Sequence, residues 1–313
     1  GIEKFVNLCK ERVKKYSGVQ TKQSIRLGYW MDWDNSYYTM SDENNYAIWD
    51  FLKKLNLKGK IYKGTDVVPW SGRSGTSYSQ MEIIEGRKLV AHKSVFVKFP
   101  LKGRVNEYIL VWTTTPWTLT SNVCLAVNKH LDYLKCKLPN GEVYYLAAEN
   151  LNTPRLEKEF KSDKEWIKGV PKLKPISQIF NERGGYTIEQ TLKGSELIGW
   201  EYEGPFDELE ASSIVGGHPF IKPDLQAKQI NAIKCHRIID GGKDSSGNEF
   251  VVAGEGSGIV HVAPGCGDAD YKIGMRDNLV CIAPLDEETN FTKEFDWLAG
   301  KNATDSGTVD LII

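Results

Sequence analysis

No apolar run in this 313-residue chain approaches the roughly 20 residues that cross a bilayer, and no signal peptide opens it. A membrane partner is therefore not expected, and a cytoplasmic location is. Cysteine is sparse, and none of Cys9, Cys124, Cys136, Cys235, Cys266 and Cys281 forms a Cys-x-x-Cys pair. That argues against a structural zinc site and for reduced thiols. Neither Gly-x-Gly-x-x-Gly nor the Walker pattern stands in workable context, so no phosphate loop is predicted. Net charge is only −1, which excludes a broadly basic nucleic-acid-binding surface. The balance is uneven, however. Residues 1–64 carry 12 Lys/Arg against 7 Asp/Glu, and the remainder carries 28 against 34. The uneven balance permits local phosphate contact near the start. Internal repeats and low-complexity tracts are absent.

What is present is an ordinary globular balance, 41% apolar and 26% charged. The chain opens Gly1-Ile2 without Met, the expectation for a piece excised from something longer. Ile2, Phe5, Val6, Cys9 and Val13 share a helical face, and the helix is expected to break near Ser17-Gly18. An aromatic-dense run, residues 28–40, reads as a packed cluster. A second helix is expected after Ser41 or Asp42, either of which suits an N-cap. Ile48, Phe51, Leu52 and Leu55 form its apolar stripe, and lysines at its end suit the dipole. From residue 61 the pattern turns to β. Val95, Val97 and Phe99 alternate on one face, and strands are expected over 108–115, 123–127, 133–138 and 143–147. Asn140-Gly141 between the last two is a hairpin signal. A helix is expected over 156–166, a strand entering a turn over 197–206, and strands over 235–239 and 249–253 around a glycine-rich loop.

Two stretches are unusual. In the first, Tyr108-Ile109-Leu110-Val111 leads into Trp112-Thr113-Thr114-Thr115-Pro116-Trp117-Thr118-Leu119. Pro116 cannot donate to a ladder and biases Thr115 toward extended geometry. The strand should end abruptly there, leaving hydroxyls and backbone at its tip between two tryptophans. The second runs from Gly254 through His261 to Asp270-Tyr271. His261 lies opposite Val260 and Val262 on a short strand, beside Ile259 and Ala263. Asp268 is expected to cap a helix whose first turn holds Asp270. Each feature has a bland reading as well: a Thr-rich strand with a Pro stop, a core histidine, an aspartate facing a helix dipole.

Taken together, Trp112 through Leu119 and Gly256-Ser257-Gly258-Ile259-Val260-His261-Val262-Ala263-Pro264 through Tyr271 resemble the isoleucyl-tRNA synthetases, specifically their editing insertion, connective peptide 1. Val68-Pro69-Trp70-Ser71, Ser79-Gln80-Met81-Glu82, Gly194 to Tyr202 and Ala283-Pro284-Leu285-Asp286-Glu287 extend the likeness over nearly the whole chain. Thr115 favours the isoleucine enzyme, because valine and leucine relatives usually carry arginine there. Thr120 stands where a proline is usual and Ser257 where a threonine is common. His-x-Gly-His and Lys-Met-Ser-Lys-Ser are missing, so ATP and Mg belong to a synthetic domain outside this chain.

The resemblance implies an α+β fold, a β-barrel-like editing domain with peripheral helices and an N-terminal helical and linker segment. Its expected divisions are 1–86, an editing core over 87–300 with an insertion within 150–250, and an exit segment over 301–313. It implies post-transfer hydrolysis of valyl-tRNA(Ile). Thr114, Thr115 and Asp270 are the expected catalytic residues. Thr113, Trp117, His261 and Asp270 are the expected substrate-binding residues. Asp270 would hold the α-ammonium, and His261 would act as the steric gate. No metal or cofactor is expected in this domain. The expected partners are the valine-bearing 3′ end of tRNA(Ile) and the rest of the parent synthetase, with the isolated domain a monomer. The alternatives are a valyl- or leucyl-tRNA synthetase editing domain and a non-catalytic tRNA-binding module.

Overall fold

Residues 1–86, 92–153, 173–243 and 247–313 are described by the structure, a computed structural model. The helix expected over 156–166 lies outside the described residues. The chain divides into two compact units, Gly1–Thr65 and Asp66–Ile313.

The first unit contains helices α1 (Ile2–Arg26) and α2 (Asp42–Leu57). The break expected near Ser17-Gly18 does not occur. The Ser17 hydroxyl donates to the Lys14 carbonyl at 3.1 Å, so it is satisfied within the helix instead of diverting the backbone. One interior glycine costs only about 1 kcal/mol. Helix α2 starts as anticipated: Ser41 Oγ accepts from the Asn44 N–H at 3.2 Å. Its apolar stripe is present but uncovered, since α2 buries no residue and Phe51 is 58% exposed.

The second unit begins with a small hairpin, β1 (Trp70–Ser71) and β2 (Thr76–Ser77), followed by α3 (Gln80–Gly86). Strands β3 (Val95–Pro100), β4 (Glu107–Thr113), β5 (Cys124–Val127), β6 (Asp132–Lys137) and β7 (Val143–Ala147) come next. They are followed by α4 (Ile176–Glu182), β8 (Thr187–Lys193), α5 (Gly194–Leu197), α6 (Glu210–Ser213) and α7 (Pro223–Ala227). Then come β9 (Ile238–Asp240), β10 (Val260–Val262), α8 (Asp268–Arg276) and α9 (Ser306–Ile312). One sheet has the order β3-β4-β7-β6-β8 and another β10-β5-β9. The Asn140-Gly141 turn joins β6 to β7, with Gly141 at φ +86°.

Burial explains the layering. Val95, Val97 and Phe99 of β3 join Ile109 and Val111 of β4, Leu125 and Val127 of β5, and Ile259 in one core between the sheets. Leu110, Tyr144 and Leu146 point the other way, onto Ile176 and Phe180 of α4. The far face of the smaller sheet, with Cys124, Ala126 and Val262, is covered by Ile273, Leu225 and Ile312 from helices. The α+β class therefore holds. The sheets are bridged at their margins without closing into one barrel: Ala147 N–H donates to Ser257 O at 2.9 Å, and Ile238 N–H to Trp200 O at 2.9 Å.

Three strand expectations shift. Residues 197–206 do not form a strand. Glu196 Oε1 accepts from the Lys193 N–H at 2.7 Å, which starts α5 instead. Gly199 at φ +90° then turns the chain, and only Glu201 and Tyr202 bridge to neighbours. Residues 249–253 give one bridge, Lys243 to Glu249, while the Val251 carbonyl accepts from Asn128 at 3.1 Å. Residues 233–235 form a 3₁₀ turn, so β9 begins at Ile238 rather than Cys235.

The turn before β10 is fixed by contact. The Asn150 side chain donates to Glu255 O at 2.6 Å and Gly256 O at 3.2 Å, and accepts from the Gly254 N–H at 3.0 Å. Gly258 has φ +71°, and a Cβ on it would lie 2.2 Å from Ala147 Cβ. Both strain and overlap oppose any side chain there. Gly258→Ala is expected to destabilise the chain by about 2–4 kcal/mol, read from chemical denaturation. An unchanged midpoint would show that this turn repacks freely.

Candidate active site at the tip of β4

Pairing of β3 with β4 runs to Val95–Thr113 and stops. A 3₁₀ turn over Pro116–Ser121 follows, with Pro116 in its first position, where a missing N–H costs nothing. The three threonines then play different parts. Thr113 is buried, and its hydroxyl accepts the Thr115 N–H at 3.0 Å. Its oxygen therefore holds the tip's shape. Thr114 and Thr115 are half-buried, with hydroxyl oxygens 3.5 Å apart.

Thr118 was not among the predicted site residues, yet it joins the two motifs. Its hydroxyl donates to the Thr115 carbonyl at 2.8 Å and lies 3.0 Å from His261 Nε2. The available signal was its spacing, three residues after Thr115 across a proline, which suits a hydroxyl returning to a turn carbonyl. Thr120 does the same to the Trp117 carbonyl at 2.8 Å. A hydroxyl thus steadies the turn. Of the two tryptophans, Trp117 packs against the cluster holding Val262 and Ile273. Trp112 lies under the glycine turn, with a Cβ on Gly256 falling 3.1 Å from its ring.

His261 sits in β10 opposite Leu125 of β5, 9% exposed. Burial pushes its imidazole down to about 4, so the ring is neutral at physiological pH. Two residues past it, the Ala263 N–H donates to Asp270 Oδ1 at 3.0 Å. Asp270 occupies the first turn of α8 as expected, but Asp268 is not the cap. Gly267 takes that place, and Asp268 is the first helical residue, paired with Lys272 at 2.7 Å. A Cβ on Gly267 would meet Asp270 Oδ2 at 2.2 Å, so the bare backbone there leaves room for the carboxylate. Burial raises the Asp270 pKa against the lowering effect of the Ala263 hydrogen bond. Cys266, between them in sequence, is also raised by burial, which disfavours a thiolate nucleophile.

The predicted residues are thus brought together in two groups. Thr113, Thr115 and His261 are connected through Thr118, with Thr114 beside Thr115. Asp270 is tied to the strand that carries His261. Among the described residues, no hydrogen bond joins Asp270 to a tip threonine. No group of three described His, Cys, Asp or Glu residues is placed to hold a metal ion. A separate cavity of about 280 Å³, on the α4 side of the larger sheet between Phe96, Tyr144 and Phe180, shares no residue with this site.

Residues 1–194 match the family of tRNA synthetases class I (I, L, M and V), and the chain belongs to that family. Its resemblance to isoleucyl-tRNA synthetases is matched by its relatives. It is 35% identical over 294 residues to the isoleucine–tRNA ligase of Clostridium acetobutylicum, covering 94% of this chain and 23% of that protein. It is 31% identical over 302 residues to the isoleucine–tRNA ligase of Sulfolobus acidocaldarius, covering 96% and 24%. The chain therefore spans about a quarter of the length of the curated relatives it matches. Among solved structures, it overlaps the Plasmodium knowlesi cytosolic leucyl-tRNA synthetase editing domain over 55% of this chain and 52% of that one. Identity there is 13% and the TM-score 0.31. So partial an overlap adds nothing to the family assignment.

The raised Asp270 pKa has a sign that can be checked. A carboxyl raised on folding is penalised while ionised. The penalty is full above its folded pKa and vanishes as pH falls below the unfolded value near 3.8. Asp270→Asn keeps an oxygen for Ala263 and loses the charge. Its thermal midpoint at neutral pH is expected to equal or exceed that of the wild type. A clear drop would mean that the ionised carboxylate is stabilising.

Proposed function

We propose that this chain is the editing domain of an isoleucyl-tRNA synthetase and that it hydrolyses valyl-tRNA(Ile) after transfer. The observation that carries the reading is the Thr118–His261 hydrogen bond of 3.0 Å. It joins two motifs far apart in sequence and leaves two half-buried threonine hydroxyls near one end, with a half-buried carboxylate anchored beyond the other. The need for such a site is general. One methylene distinguishes substrates by only ~1–3 kcal/mol, and isoleucine against valine in this family is the familiar worked case for that limit.

In the proposed reaction, water adds to the ester carbonyl and the bond to the ribose oxygen breaks. Valine leaves, and the terminal adenosine regains its hydroxyl. Asp270 holds the α-ammonium by a charge-assisted hydrogen bond. An arriving cation offsets the burial that raises this carboxyl. Thr114 and Thr115, with backbone groups of the tip, orient the water and carbonyl. Thr113 fixes the tip from beneath, and Trp117 shapes the pocket and contacts the adenosine. His261, neutral, is the gate against the larger side chain. The weakly basic His261 is a poor general base, so rate enhancement comes from positioning and from the neighbouring ribose hydroxyl.

This chemistry needs no resident metal or cofactor. ATP and Mg serve the synthetic part of the parent. The domain works in the cytoplasm, as a monomer when isolated. No described helix is long and apolar enough to cross a membrane.

Deacylation of valyl- and isoleucyl-tRNA(Ile) by this chain tests the proposal, with valyl ester the faster substrate. Asp270→Asn is expected to lose hydrolysis and valyl-adenosine binding together. Retained binding with hydrolysis abolished would make Asp270 a base instead of an anchor. His261→Ala is expected to admit the isoleucyl ester, narrowing the preference at least tenfold in kcat/KM. An unaltered preference would remove the gate from His261.

A further inference from the structure

The cavity of about 280 Å³ beside α4 has an ordered lining. Its floor is one face of the larger sheet. Lys98 of β3 stands opposite Leu110 of β4, and Phe96 lies two residues before Lys98, so all three share that face. Tyr144 of β7 continues it. The roof is one stripe of α4, made of Ile176, Ile179 and Phe180, and Arg183 follows at the same helical spacing where the helix ends. The rings form a series, with centroids 5.7 Å apart between Tyr108 and Tyr144 and 5.5 Å apart between Tyr144 and Phe180.

Charge at the rim is unbalanced. Lys98 Nζ donates to Glu142 Oε1 at 2.7 Å, while Glu142 Oε2 accepts from the Tyr144 hydroxyl at 2.7 Å and from Asn140 at 2.9 Å. The Lys98 hydrogen bond, helped by the other two, holds the Glu142 carboxyl down at about 2, so it is ionised and already engaged. Arg183 is exposed and has no such counter-ion: no hydrogen bond or ion pair joins its guanidinium to another described residue. Two cations, Lys98 and Arg183, against one anion, Glu142, leave a single positive charge beside an apolar, ring-lined space.

We propose that this cavity is a binding site for a small aromatic monocarboxylate, with the ring against Phe96, Tyr144 and Phe180 and the carboxylate on Arg183. A guanidinium presents two parallel N–H donors to a carboxylate, and Arg183 has them free. The ligand ring extends the tilted series of rings already in place. A ligand amine would instead set a third cation beside Lys98 and Arg183, and a neutral ligand would leave the charge of Arg183 unanswered. The volume, just under the roughly 300–1,000 Å³ of ligand pockets, suits one ring with a short acid chain. None of these residues belongs to the candidate active site, so the inference stands apart from the hydrolase reading.

The test is titration of this chain with 3-phenylpropionate, with the alcohol 3-phenylpropan-1-ol and with 3-phenylpropylamine, followed by amide NMR. The carboxylate is expected to give saturable shifts at Phe96, Leu110, Tyr144 and Phe180, with a Kd of about 1 mM or tighter. The alcohol should bind about tenfold more weakly, and the amine not at all. Arg183→Gln, at an exposed position, should weaken the carboxylate about tenfold and leave the alcohol unchanged. Ile179→Trp, which fills the space from the half-buried side of α4, should abolish binding of both. Equal affinity for carboxylate and alcohol overturns the inference, as does an Arg183→Gln variant that binds the carboxylate like the wild type, whether or not the Ile179 variant folds. No saturable shift, or shifts centred on Thr114 or His261, overturns it as well. Each of these results leaves the hydrolase reading untouched, since that reading is decided by ester cleavage.

Discussion

The geometry of the candidate site depends on one buried relay, in which the Thr115 carbonyl accepts from Thr118 and Thr118 faces His261. It spans the point where β4 stops and β10 arrives. Pro116 makes the relay feasible by ending strand pairing and starting a 3₁₀ turn whose three-residue repeat brings Thr118 back over Thr115. Without the turn, the hydroxyl of Thr118 would have no reason to meet that carbonyl. Without the carbonyl, the face that Thr118 offers to His261 would not be fixed. Three adjacent threonines thus divide their work. The hydroxyl of Thr113 accepts from the backbone, the Thr115 carbonyl receives the relay, and the Thr114 and Thr115 hydroxyls stay close to one another.

The second strand of the site is held by the absence of side chains. Gly256 lies on the Trp112 ring, and Gly258 presses against Ala147 at the end of β7. Asn150 fastens the same turn through three hydrogen bonds. The position of His261 is therefore inherited from the larger sheet as well as from its own. Tyr133 adds to this, donating its hydroxyl to Gly258 O at 2.9 Å while accepting from the Asn128 N–H at 3.0 Å. Farther off, Tyr202 donates to Asn122 Oδ1 at 2.6 Å and stacks on His236, whose Nε2 meets Asp207 Oδ1 at 2.7 Å. That network pins the residue immediately after the turn.

Local rules made much of this legible. Alternation placed Val95, Val97 and Phe99 on one face, Asn140-Gly141 marked the hairpin, and Ser41 marked a helix start. Each depends on residues within a few positions of one another. The failures came where a neighbour distant in sequence, or a side chain with two uses, decided the outcome. Ser17 was read as a breaker, but its hydroxyl turned inward to Lys14. Residues 249–253 had strand composition, but the Val251 carbonyl was taken by Asn128. Asn150 gave no sign of its role, because its partners lie about a hundred residues on. At the site, residue types and faces could be read. The link between the two motifs could not, because it depends on a carbonyl, a hydroxyl and an imidazole meeting in three dimensions.

The electrostatics of buried His261 and half-buried Asp270 point in one direction. Burial drives His261 toward its neutral form and raises the pKa of Asp270, so both sites resist charge in the free protein. A neutral ring adds no positive charge to repel an ammonium. A carboxylate short of solvent gains more from a cation than an exposed one would. In the proposed reaction such a site favours a cation, since a free carboxylate or a phosphate would bring a second anion beside Asp270. The ammonium of an aminoacyl ester is the part every such substrate shares. The side chain is the part that differs, and in the proposed reaction the neutral His261 sorts it by size. In that proposed reaction charge admits the class of substrate, and His261, held by Thr118, sorts within it.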